Sequence, residues 1–229
     1  ELNKDNVDTL YDQACNQIHL MQNITSDSSN LPVYDESLLT TEMNLFNDWF
    51  IERHLGQTLS EEEQDTIKQV QQLLINSALN QPQSFVHRDF HSRNLMPQHD
   101  GNIAVIDFQD AVIGPITYDL VSLFKDCYIA WPEEQVYQWV DNFRQQYNQK
   151  YQTSHNQATF LRWFDLMGAQ RHLKAIGIFC RLNYRDGKKH YLQDIPRTMK
   201  HLQMTCLAYP ELVKFSQLLD KIQPRLQIA

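Results

Sequence analysis

Four polar residues of this 229-residue chain stand at spacings that can do chemistry: Asp89, Asn94, Asp107 and Asp119. Asp89 and Asn94 lie in the stretch FVHRDFHSRNLM (85–96), as H-x-D-x-x-x-x-N. Asp107 closes the apolar run Ile103-Ala104-Val105-Ile106. A carboxylate at the end of a strand is rigidly held with its head exposed, a common place for a functional side chain. Asn94 and Asp107 offer hard oxygen ligands of the kind Mg²⁺ takes while it keeps water and substrate phosphates in its shell. Asp89, on the same loop as Asn94, can accept a proton from an attacking hydroxyl. Base, metal ligands and nucleotide are the parts that phosphoryl transfer requires. Two other readings use some of the same residues. Asp and Asn are ordinary turn formers, although chance does not readily give all three positions together with two flanking strands. His87, Asp89 and His91 would share one face of an extended segment and could ligate zinc or iron, but that leaves Asn94 and Asp107 without a task.

These residues need a scaffold, and its elements are legible in the hydrophobic spacing. Residues 4–22 place Val7, Leu10, Tyr11, Ala14, Ile18 and Met21 on one helical face. Residues 23–35, rich in Asn, Ser, Asp and Pro, read as a loop. A second helix is expected from about Glu36 to Leu55, stopping at Gly56. Ser60 and Glu63 form a capping box for a third helix that ends before Asn80. Residues 84–108 read as short strands, with an Asp-Gly turn in QHDGN (98–102). Helices are expected again at about 117–130, 133–151, 156–183, 195–208 and 210–222. The fold class is therefore α+β, mostly helical, with one small β island that holds the unusual residues.

Composition bounds the function. A hydrophobic content of 42% allows a real core. A net charge of −8 argues against broad electrostatic binding to nucleic acid. Cys15, Cys127, Cys180 and Cys206 are widely separated and form no CxxC, a pattern of idle thiols that fits a reducing, cytoplasmic setting. No apolar run reaches about 18 residues, so no membrane helix is expected.

H-R-D-x-x-x-x-N followed by a strand and D-F resembles the catalytic and metal-binding loops of the protein-kinase-like superfamily. The run Asp107-Phe108-Gln109 through Gly114-Pro115 to Tyr118-Asp119-Leu120 resembles its small-molecule branch, the aminoglycoside phosphotransferase family, and no A-P-E follows. Three segments, VHRDFHSRNLM, IDFQDAVIGPITYDLVSLFKDCYI and QRHLKAIGIFCRLNYRDGKKHYLQDIPR, are similar to the bacterial anomeric kinases of N-acetylmuramate and N-acetylglucosamine in cell-wall recycling. The resemblance implies ATP as co-substrate and an amino sugar phosphorylated at its anomeric hydroxyl. Asp89 becomes the catalytic base, Asn94 and Asp107 hold Mg²⁺, and Met96 and Ile106 floor the adenine pocket. Asp119 supports the catalytic loop from behind, and His87 packs beneath it. A kinase for another small alcohol (an aminoglycoside, choline or homoserine) and a non-catalytic binding module are the competing functions.

The superfamily's nucleotide lobe is not evident. The six glycines include no G-x-G pair and no GxxxxGK[ST], and no β-rich region precedes residue 84. The chain is thus expected to be the C-terminal lobe, weakly active or inactive without its N-terminal lobe. Candidate substrate contacts are His91 and Arg93 on the loop, Asp110 after it, and Arg171 and Arg181, where a guanidinium could grip a carboxylate. The two later arginines read equally well as partners of a structural Asp119 or Asp126. Glu42, Asn44, Asp48 and Arg53 read as a solvated helix face, with a border of the substrate cleft as the alternative. The aromatics of DWFIERHL and YQWVDNF read as core.

Overall fold

A computed structural model describes residues 2–24, 31–98 and 102–222. The centre of the expected loop at 23–35 and the Asp-Gly of the expected turn lie outside the described residues. The chain divides into two compact units, one made of Glu1–Tyr34 with Leu79–Phe164, the other of Asp35–Ala78 with Asp165–Ala229.

The first unit carries the β island. Helix α1 (Val7–Met21) buries Val7, Tyr11, Ala14, Cys15 and Ile18, the three-and-four spacing read from the sequence, and packs on α4 and β3. Strand β1 (Gln83–Val86) pairs antiparallel with β4 (Val112–Pro115), Phe85 opposite Ile113. Strand β2 (Leu95–Pro97) pairs antiparallel with β3 (Ile103–Val105), Met96 opposite Ala104. β4 was not expected. It is short, holds a glycine and a proline, and gains its partners only through residues far away in sequence. Residues 32–34 run along its other edge, Tyr34 N–H donating to Ile113 C=O at 2.8 Å. Gly114 lets the two segments approach closely, for a Cβ there would lie 3.0 Å from that of Tyr34, tighter than ordinary contact.

Helix α4 (Tyr118–Phe124) is buried throughout and ends earlier than its apolar pattern indicates. Its start is tied down by Gln81, whose Oε1 accepts from Thr117 Oγ1 at 2.7 Å. Helix α5 (Glu133–Tyr151) has the expected limits and buries as core Trp139, against Tyr11 and Phe124, and Phe143, against His19 and Phe160. Its N-terminal neighbour Trp131 donates to Tyr11 OH at 2.9 Å.

Helix α6 (Gln157–Asp186) begins in the first unit and continues into the second. In the second unit, Asp35 caps α2 (Glu36–Leu45) by accepting from Leu38 N–H at 2.9 Å. The helix then widens into π-helical turns over Phe46–His54, where Leu55 N–H reaches Phe50 C=O, before stopping at Gly56. The widening begins where α6 comes close, for a Cβ on Gly177 would lie 2.3 Å from the Leu45 carbonyl carbon. Helix α3 (Glu61–Leu79) starts at the expected capping box, Ser60 N–H donating to Glu63 Oε2 at 2.8 Å and Glu63 N–H to Ser60 Oγ at 3.3 Å. Helices α7 (Ile195–Ala208) and α8 (Val213–Ile222) complete the unit, with 3₁₀ turns before each.

The face holding Glu42 differs from its reading. Glu42 is buried, paired with Lys174 at 2.9 Å and accepting from Gln170 at 3.2 Å. Positions 170 and 174 are one helical turn apart, so α6 supplies both partners and satisfies a charge that burial alone would make costly. Asn44 accepts from Gln71 at 3.1 Å, while Asp48 and Arg53 are exposed. All four cysteines are free and buried. No helix among the described residues is long and apolar enough to cross a membrane.

Candidate active site

The loop from His87 to Asn94 leaves β1 and is held by two carboxylates from behind. Asp119, in the first turn of α4, accepts from His87 N–H at 2.8 Å and from Arg88 N–H at 3.1 Å. These bonds hold Arg88 at φ 75°, left-handed backbone that a side chain makes unfavourable. The turn at Arg88 breaks the extended alternation that would have set His87, Asp89 and His91 on one face. No group of three metal-ligating His, Cys, Asp or Glu side chains occurs among the described residues, so the zinc reading has no geometry to support it. The His87 ring is 1% exposed and lies edge-on to Phe90 at 5.9 Å. Burial lowers its pKa, against the pull of the nearby Asp89 and Asp107 charges, which keeps it neutral at pH 7.

The second clamp is Asp126, which follows α4. One of its oxygens accepts from Ser92 Oγ at 2.6 Å and Ser92 N–H at 3.0 Å, the other from Tyr128 N–H at 2.9 Å. In the sequence Asp126 stood only as a possible partner of Arg171 or Arg181. Because Asp126 lies beyond the end of α4, no helical spacing ties it to Asp119, and only the tertiary structure brings it to the loop.

Between the clamps the loop closes on itself. Asp89 C=O accepts from His91 N–H at 3.1 Å and from Asn94 Nδ2 at 3.0 Å. The bond through Nδ2 leaves the amide oxygen of Asn94 for another partner. Among the described residues no donor engages the half-buried Asp89 carboxylate. Ile106 N–H donates to Asn94 C=O at 3.2 Å, which joins the loop to the end of β3. One residue on, Asp107 has φ 73° and an exposed carboxylate that accepts from Gln109 at 2.8 Å. Asn94 and Asp107 thus present oxygen donors only, the set that suits Mg²⁺ better than a softer ion.

Met96 and Ile106 are 44% and 45% exposed. Met96 faces Ala104 across the ladder, and Ile106 follows Ala104 by two, so both lie on the same side of the hairpin. Phe108, 68% exposed, is a further apolar side chain near them in sequence. His91 lies edge-on to Tyr128 at 5.2 Å, and the Arg93 guanidinium sits 3.4 Å over the centre of the same ring. Asp110 is exposed, and its carbonyl accepts from Arg88 Nη1 at 3.2 Å. Arg171 and Arg181 lie on α6 in the second unit.

Known proteins resemble this chain in sequence and in fold. Relatives named N-acetylmuramate/N-acetylglucosamine kinase are 43% identical in Pseudomonas putida and 42% identical in Pseudomonas aeruginosa, covering 97% and 96% of this chain and 65% of each relative. A third, from Neisseria meningitidis serogroup B, is 43% identical over 84% of this chain and 58% of its own length. The chain thus spans just under two thirds of the two Pseudomonas proteins. Among solved structures, the Plasmodium vivax ethanolamine kinase superposes with a TM-score of 0.61 at 14% identity, covering 93% of this chain and 63% of that one. An ADP-bound aminoglycoside phosphotransferase gives 0.53, also at 14%, covering 87% and 65%. Both show the same fold. A model described as the phosphotransferase enzyme family matches residues 1–160, and the chain belongs to that family.

Proposed function

We propose that this chain is the catalytic and substrate lobe of a cytoplasmic, ATP-dependent kinase that phosphorylates the anomeric hydroxyl of an amino sugar, N-acetylmuramate or N-acetylglucosamine, in cell-wall recycling. The observation that carries the chemistry is the Asp89 carboxylate, which no donor engages among the described residues, on a loop clamped at both ends. The sugar specificity rests on the relatives named above. Asp89 orients the hydroxyl and takes its proton as the oxygen attacks the γ-phosphorus and the bond from that phosphorus to the departing ADP breaks. Asn94 and Asp107 hold Mg²⁺, which when bound neutralises phosphate charge. Met96 and Ile106 give the adenine an apolar floor. His87 and Asp119 keep the loop in place, and His91, Arg93 and Asp110 are the substrate contacts nearest the base in sequence. The phosphate loop and lysine of the family belong, on this reading, to an N-terminal lobe in the part of the relatives that this chain does not span.

The test is ATP consumption by the full-length polypeptide with Mg²⁺ and either sugar, with the product identified by phosphorus NMR. The expected product is a sugar 1-phosphate. Asp89→Ala should lower turnover by about 10²–10⁴-fold, the usual contribution of a general base. Turnover only with kanamycin or choline would overturn the sugar assignment while keeping the chemistry. Undiminished turnover in the variant would remove Asp89 from its role.

A further inference from the structure

We propose that Arg93, laid on Tyr128, is the group that receives the carboxylate of an acidic amino sugar and so sets the preference between acidic and neutral substrates. The inference rests on the sugar-kinase reading and adds the residue that tells the two sugars apart.

Arg93 stands directly before Asn94, four residues beyond the proposed base. Both lie in a single 3₁₀ turn, Ser92–Asn94, but their side chains do different things. Asn94 turns to the Asp89 carbonyl, whereas the Arg93 guanidinium lies 3.4 Å over the Tyr128 ring. Arg93 is exposed, and among the described residues it forms no ion pair with a carboxylate. Other arginines of this unit are occupied: Arg88 donates to the Asp110 carbonyl, and Arg144 pairs with Asp141 at 2.7 Å.

The platform beneath Arg93 is itself fixed. Tyr128 N–H is held by Asp126, the same carboxylate that holds Ser92, and His91 lies against the ring edge. The positions of Arg93 and its platform are therefore set by one acidic residue. A stacked guanidinium keeps its planar edge free to grip a carboxylate with two parallel hydrogen bonds. Because the stack limits its rotation, less freedom is lost when the anion binds.

The charge balance gives this arm a purpose. Arg93 aside, Asp89, Asp107 and Asp110 outnumber Arg88 in the loop region, so a sugar bearing a carboxylate would be repelled on approach. A neutral sugar meets no such barrier. An arginine on the same loop offsets the repulsion for the acidic sugar alone.

The test compares kcat/KM for N-acetylmuramate and N-acetylglucosamine in the full-length polypeptide. Arg93→Gln should lower the acidic-to-neutral ratio by about 10–100-fold, the loss of a charge-assisted bidentate contact. Arg93→Lys keeps the charge but not the fork and should fall between. Tyr128→Leu leaves Arg93 present without its platform and should lower the ratio in the same direction, by less. A ratio unchanged within twofold in Arg93→Gln, with both sugars turned over, would overturn this inference and leave the sugar-kinase reading standing. No turnover of either sugar by the unaltered protein would overturn both.

Discussion

Replacing Asp119 by asparagine keeps the size of the side chain and removes one charge and one acceptor. In the native loop its two oxygens accept from His87 N–H at 2.8 Å and Arg88 N–H at 3.1 Å. Asparagine can satisfy one of these donors and turns an NH₂ group toward the other. A hydrogen bond to a charged group contributes about 1.5–3 kcal/mol, and a buried donor left unmade costs a similar amount. Asp119→Asn should therefore destabilise the unit by about 2–3 kcal/mol, and Asp119→Ala, which abandons both donors, by about 3–5 kcal/mol. The left-handed backbone of Arg88 at φ 75° offsets part of this loss and lets the base move. That conformation costs roughly 1–2 kcal/mol, and with its bonds gone the loop can relax away from it. A base displaced by about 1 Å is expected to cost turnover about 10²-fold. Urea unfolding measures the first effect, and hydrogen exchange at the amides of His87 and Arg88 locates it. An Asn variant whose two amides stay as protected as before, with unchanged midpoint and turnover, would refute the reasoning.

Other perturbations follow from the same geometry. Asp126→Asn should cost about 1.5–3 kcal/mol by unfolding and raise KM for the sugar more than it lowers kcat, because it frees Ser92 and Tyr128 rather than the base. Gly177→Ala drives a methyl into the Leu45 backbone 2.3 Å away, so it should destabilise by about 3 kcal/mol, the upper end for overpacking, visible as a lowered urea midpoint. Burial, with the Lys150 ammonium beside it, pushes the His19 imidazole down to about 4 from 6.5. Between those values the unfolded chain holds the extra proton, so stability is full above pH 6.5 and falls as the pH drops toward 4, by about 2 kcal/mol after allowance for solvent screening. The difference in unfolding free energy between wild type and His19→Asn, followed against pH, should change over that window and be flat above it.

The long helices were legible because a buried face repeats at three and four residues over many turns. α5 and α7 begin and end where their patterns do. The capping box at Ser60 and Glu63 was equally local, since both partners lie within one turn. What local pattern missed was long-range. β4 owes its pairing to β1 and to residues 32–34. α4 stops at Phe124 although apolar residues continue. Glu42, read as solvated, is internal because α6 brings Lys174 and Gln170 to it. The π-helical turns begin where Gly177 meets the backbone of Leu45, a contact with no trace in the helical periodicity of residues 36–55.

The types and order of the chemical groups were determined by the sequence: a loop carboxylate, an amide oxygen after it, a carboxylate at a strand end and another opening a helix. Those follow from residue identity and short spacing, which local backbone geometry translates directly into position along a loop. Tertiary structure alone decided what each group is free to do. Asp119 and Asp126 are equivalent to Asp89 as side chains, yet both oxygens of Asp119 and one of Asp126 are taken up by backbone amides 31 to 34 residues away in the chain, while among the described residues no donor engages the carboxylate of Asp89. A carboxylate becomes a clamp or a base according to which donors the packing brings within hydrogen-bond distance, and the packing is set by contacts that no short window of sequence contains.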